Sequence, residues 1–122
     1  MQKQIINHND INIALINSAE PIISDGQSAL DFIMSIHYYH NCSCIALNKE
    51  ALSDSFFILS TGVAGEILQK ISNYRIKLAI IGDFSSYTSQ PLKDFIYECN
   101  KGQNVFFVPN ENDALNKLSN CL

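Results

Sequence analysis

Hydrophobic residues fall along the chain in two patterns. Three short runs, Cys44-Ile45-Ala46-Leu47, Lys77-Leu78-Ala79-Ile80-Ile81-Gly82 and Val105-Phe106-Phe107-Val108, are apolar on consecutive positions. A strand without alternation is covered on both faces, which predicts the central strands of a parallel sheet. Elsewhere the apolar positions recur at helical spacing. Residues 61–74 would bury Val63, Ala64, Ile67, Leu68 and Ile71, and residues 89–100 would bury Leu92, Phe95, Ile96 and Cys99. A last helix from Glu111 carries Ala114, Leu115 and Leu118 behind an Asn110 cap. An earlier helix opens at Ser24-Asp25-Gly26, with Ser24 and Gln27 at the spacing of a capping box. Its expected stripe is Leu30, Ile33, Met34 and His37, widened by Phe32 and Ile36.

Residues 4–7 and 11–16 are apolar runs on either side of His8-Asn9-Asp10, a polar turn that predicts a hairpin. Strand and helix then alternate to the end. The expected fold is α/β: one domain over residues 1–122, a mostly parallel sheet entered through an N-terminal β-hairpin, with helices as crossovers. Ser89 with Pro91 suits a helix start, and Gly102 suits a left-handed helix end.

Composition narrows the function classes. The chain has 122 residues, 47% hydrophobic and 16% charged, against about 25% charged in an average soluble domain. That length supports a core without disulfides or a structural metal. Net charge is −4, and Arg75 is the only arginine. No basic stripe exists to follow a phosphate backbone or an anionic lipid surface, so neither nucleic acid nor membrane is an expected partner. No apolar run approaches the length of a membrane span, and the start MQKQIINHND lacks a secretory leader pattern. The expectation is a cytoplasmic protein whose Cys42, Cys44, Cys99 and Cys121 are reduced thiols.

In open α/β sheets, ligands gather beyond the carboxyl ends of the strands. That rule selects Asn48-Lys49-Glu50, the loop Asp83-Phe84-Ser85-Ser86-Tyr87-Thr88, and Pro109-Asn110-Glu111. Ser60-Thr61-Gly62-Val63-Ala64-Gly65 joins them because it opens a helix on the same side. Free N–H groups and the helix dipole there favour an anion or a phosphorylated hydroxyl. The plainer reading is that Thr61 caps the helix and the glycines allow close packing. No P-loop lysine follows, so nucleotide hydrolysis is not supported. The candidate ligand- or partner-binding residues are therefore Glu50, Ser60, Thr61, Gly62, Gly65, Asp83, Ser85, Tyr87 and Thr88.

His40, Cys42 and Cys44 alternate and would share one face if extended, a spacing zinc could use. With no second cluster, Cys42 and Cys44 read better as core-lining residues, and His40 suits a helix end by the dipole. No metal and no cofactor is expected. Nucleophile–base pairs and paired carboxylates in a catalytic context are missing too.

One long segment resembles a small bacterial family catalogued as a domain of unknown function, DUF4180. The likeness lies in Phe56-Phe57, Thr61-Gly62-Val63-Ala64-Gly65-Glu66-Ile67-Leu68-Gln69-Lys70, Asn73-Tyr74-Arg75, Lys77 through Phe84, Tyr87-Thr88-Ser89 and Asp94-Phe95-Ile96-Tyr97-Glu98. More distantly, the order of elements is similar to the STAS superfamily (sulphate transporter and anti-sigma-factor antagonist). In its antagonist members an Asp-Ser-Ser-Gly-Leu-Gly motif starts a helix, and a serine in it is phosphorylated. The matching place here reads Leu59-Ser60-Thr61-Gly62-Val63-Ala64: the hydroxyls and one glycine match, Leu59 replaces the Asp, and the second glycine falls late at Gly65. The resemblance implies a regulatory module that meets a protein partner and is switched by phosphorylation near Thr61. The alternative is a carrier of a small apolar ligand, with a mouth near Phe57, Asp83 and Tyr87; an enzyme ranks last. A homodimer is a further expectation for so small a parallel-sheet domain.

Overall fold

The computed structural model describes residues 1–120; the thiol expected at Cys121 lies outside them. β1 (Gln2–His8) and β2 (Ile11–Asn17) form an antiparallel hairpin, in register from Gln2 opposite Asn17 to His8 opposite Ile11. Asn9 and Asp10 between them have φ of 52° and 66°. Two successive left-handed residues give a turn whose twist matches that of the strands, and Asn and Asp tolerate the conformation. β2 pairs in parallel with β3 (Cys44–Asn48), β3 with β4 (Lys77–Ile81), and β4 with β5 (Val105–Val108). The sheet order is β1-β2-β3-β4-β5. The expected mixed α/β domain with an N-terminal hairpin is what forms.

Among the described residues, four helices follow the strands: α1 (Gly26–His40), α2 (Val63–Asn73), α3 (Gln90–Lys101) and α4 (Glu111–Asn120). Because the strand order never reverses, α1, α2 and α3 share one face. There Ile33, Ile67 and Leu92 pack on Ile16, Ile45, Leu47, Leu78, Ile80 and Phe107. The opposite face belongs to α4, whose Ala114, Leu115 and Leu118 cover Ile13, Ala46, Ala79, Phe106 and Val108. Strand residues alternate between these two cores, which explains their continuous apolarity. Among the described residues, no helix is long and apolar enough to cross a membrane.

Several local expectations shift. Asp25, one residue later than Ser24, caps α1; it accepts from the Ser28 N–H, and the Ser28 hydroxyl accepts in return from the Asp25 N–H. The buried stripe is Gly26, Ala29, Ile33 and Ile36, while Met34 and His37 face outward. The reason is a close approach to α2: a Cβ on Gly26 would stand 3.3 Å from the Glu66 carboxylate. Gly26 and Ala29 therefore join the expected Ile33 and Ile36 on the inner face. Gly102 ends α3 in extended rather than left-handed backbone, with φ −84°. Asn110 and Ser89 do cap the following helices, through the N–H groups of Asp113 and Leu92.

The carboxyl end of the sheet is roofed by the β3–α2 connection, three short 3-10 turns at Lys49–Ala51, Asp54–Phe57 and Leu59–Thr61. Phe56 anchors them. Its ring is fully buried, with centroids 5.0 Å from Phe57, 6.4 Å from Phe95 and 6.3 Å from Phe107. At the β5 edge of the sheet, Asn100 takes the place of a missing strand. Its Oδ1 accepts from the Phe107 N–H at 2.7 Å and its Nδ2 donates to the Phe107 carbonyl at 3.3 Å.

Two substitutions test this account in urea unfolding. Phe56→Ala removes the anchor and should cost about 3–5 kcal/mol, as truncation of a buried aromatic does. Asn100→Ala should cost about 1 kcal/mol, the net worth of the amide bonds it deletes. A Phe56→Ala midpoint within error of wild type would show that the turns are held by something else.

Candidate functional site

The rim of the sheet at its carboxyl end is built by two connections that lean on each other. Phe57, from the second 3-10 turn, stacks on Tyr87 of the β4–α3 loop, with centroids 5.0 Å apart and planes 13° from parallel. Phe84 sits edge-on to Phe107 at 5.3 Å and 6.2 Å from Phe57. Lys49 runs over this group. Gly82 makes its path possible, since a Cβ there would lie 2.8 Å from the Lys49 Cδ. The Lys49 ammonium then donates to the Asp83 carbonyl at 2.8 Å and stands 5.5 Å from the centre of the Tyr87 ring, within cation–π reach.

Electrostatics follow from these contacts. Hydrogen bonding from Ser85, hydroxyl and then backbone N–H, holds the Asp83 carboxyl below its ordinary value, and Lys49 adds to the effect. The Asp83 carboxylate accepts the Ser85 N–H at 2.9 Å, which fixes the turn after β4. Tyr87 moves the other way: burial raises its phenol, and the negative charges of Asp54 and Glu50 raise it further. A shallow cleft of about 260 Å3 opens between Ala19, Pro21, Lys49, Glu50, Asp54 and Tyr87. A larger hollow of about 590 Å3 lies beside β5, between Asn100, Phe106, Pro109, Asp113 and Lys117; of the segments at the carboxyl ends of the strands it takes in Pro109 alone.

Thr61 is the link between rim and helix. Its hydroxyl lies 2.8 Å from both the Ser55 and the Ile58 carbonyl, and it accepts the Val63 N–H at 3.3 Å. It closes the 3-10 turns instead of serving as the cap itself. The cap position falls to Gly62, left-handed at φ 79° and without a side-chain bond. Ser60, Gly65 and Thr88 are exposed, and space around Gly65 is open.

The structure therefore gathers Glu50, Asp83, Ser85 and Tyr87 around Lys49, and ties Thr61 to them through Ser55 and Phe57. Ser60 and Gly65 flank this group at the start of α2. Asp54, Ala19 and Pro21 are the additions. Applying the carboxyl-end rule to β2 as well as β3 would have found the last two, because β2 is parallel to its neighbour. His40, Cys42 and Cys44 do not converge: His40 ends α1, Asn41 turns left-handed at φ 52°, and Cys42 and Cys44 enter opposite cores.

A family model described as Domain of unknown function (DUF4180) matches residues 8–118. The chain belongs to the DUF4180 family. No curated protein and no solved structure matches it. The family match spans every residue of the rim, so the site of this DUF4180 protein lies wholly inside the shared domain.

The raised Tyr87 phenol has a measurable consequence. A folded-state pKa above the unfolded one means that the stabilisation is complete below the unfolded value, near pH 10, and is lost as pH rises through the folded value. Spectrophotometric titration should show one of the five tyrosines ionising late, and Tyr87→Phe should remove that phase. An unchanged titration in the variant would place the late phenol elsewhere.

Proposed function

We propose that this chain is a protein-binding regulatory module of STAS-like architecture, that its contact face is the carboxyl rim of the sheet, and that Thr61 controls the shape of that face. The hairpin, the regular alternation that follows and the unreversed strand order support the architecture. One observation carries the switch: the Thr61 hydroxyl lies within bonding distance of two carbonyls, Ser55 and Ile58, of the turns that carry Phe57 onto Tyr87. Phosphorylation of Thr61 replaces the hydroxyl proton by a dianionic group. The Ser55 and Ile58 carbonyls then lose their donor and face negative charge, so the turns open. The phosphate itself meets the unpaired N–H groups at the start of α2. A phosphate on Ser60 would leave the Thr61 bonds in place.

The apolar-carrier alternative has less to support it. Phe57 and Tyr87, expected with Asp83 near a mouth, stack on each other with Phe84 beside them, and the cleft that they line is shallow.

Phosphosite mapping by mass spectrometry on protein from its own host tests the modification, with Thr61 the expected site. Thr61→Val keeps the shape and deletes the donor. It should raise amide exchange across residues 54–61 about tenfold, as the loss of roughly 1.4 kcal/mol of local protection requires, while Thr61→Ser stays near wild type. Equal protection in Thr61→Val and wild type would dismiss Thr61 as the control point.

A further inference from the structure

The two edges of the sheet are finished differently. At the β5 edge the outward backbone groups of Phe107 are occupied by the Asn100 side chain. Among the described residues, no side chain covers the β1 edge in that way. In a hairpin with a two-residue turn, His8 and Ile11 close the ladder, and bonded pairs then alternate with unbonded ones. Gln4, Ile6 and His8 therefore spend their backbone groups on β2, while Lys3, Ile5 and Asn7 direct theirs outward. Ile5, at the centre of that row, is 37% exposed.

This row is complementary to itself. Turned antiparallel against its own copy, it has one register that uses all three outward residues: Ile5 opposite Ile5, and Lys3 opposite Asn7 in both directions. The single cation of β1 then faces a neutral amide, and no carboxylate lies on the strand. The chain's negative charge resides elsewhere, so the two edges meet without a like-charge pair. Registers shifted by one bonded pair leave outward groups unmatched.

We propose that β1 pairs with β1 of a second copy of this chain, antiparallel and centred on Ile5, so that two sheets become one continuous sheet across a two-fold axis. The two carboxyl rims are then held apart at fixed separation, and neither is covered by the contact. The inference is independent of the switch at Thr61.

The test reads dimer dissociation by sedimentation velocity on the full chain. Ile5→Lys and Ile5→Glu each place like charges opposite one another at the axis, and each should weaken self-association about tenfold or more. Mixing the two variants puts Lys opposite Glu and should restore a heterodimer at least as tight as wild type. That recovery also shows that both variants fold. Asn7→Glu, which sets a carboxylate opposite Lys3 at both ends, should tighten the dimer several-fold. A wild-type chain that stays monomeric into the millimolar range overturns the proposal and leaves the edge to an extended segment of another protein. Dimers that persist unchanged in both Ile5 variants overturn it as well, since the contact then lies elsewhere.

Discussion

Burial of the Phe56 ring is the constraint on which the rest of the molecule depends. Phe56 belongs to a 3-10 turn rather than to a helix or strand, yet it is fully buried and touches the rings of Phe57, Phe95 and Phe107. Those contacts tie the β3–α2 connection to α3 and β5. With Phe56 in place, Phe57 is held where it meets Tyr87, and the Asp83 loop acquires a fixed partner. The rim therefore rests on the hydrophobic core below it, while the Thr61 hydroxyl ties together the turns above. A surface of turns stays ordered when its apolar residues reach inward.

Long-range pattern was legible in the chain, and local geometry less so. The runs at Cys44, Lys77 and Val105 marked β3, β4 and β5, because burial on both faces leaves no other composition. The face of α1 was legible at Ile33 and Ile36 but not beyond them, since hydrophobic size pointed to Leu30 and Met34 whereas close contact with α2 required Gly26 and Ala29. Periodicity reports which residues are apolar, and the distance between two helices decides which of them go inside. At the site, Glu50, Asp83 and Tyr87 followed from the carboxyl-end rule. The bond from Thr61 to Ser55 did not, because it depends on three successive turns that no spacing rule encodes.

The thirteen asparagines of the chain have structural content. Asn9 and Asn41 occupy left-handed positions, and Asn110 caps α4. Asn48 and Asn100 act as pieces of strand. The Asn48 amide accepts from the Ser18 N–H at 2.9 Å and donates to the Ser18 carbonyl at 2.7 Å, joining the connections that follow β2 and β3. Asn100 does the same for Phe107. A carboxamide carries one donor side and one acceptor side, as a peptide group does, so it can continue a ladder where the backbone stops.

The unreversed strand order also governs how the chain assembles as it is synthesised. Each strand finds its neighbour already made, so the sheet can grow from the hairpin outward, one crossover at a time. The helix that shields the second face follows all of the strands that it covers. Until α4 emerges, Ile13, Ala46, Ala79 and Phe106 form a bare apolar surface on an otherwise nearly finished sheet. That interval is when a nascent chain of this design is open to chaperones and to aggregation, and it closes only when Leu115 and Leu118 leave the ribosome.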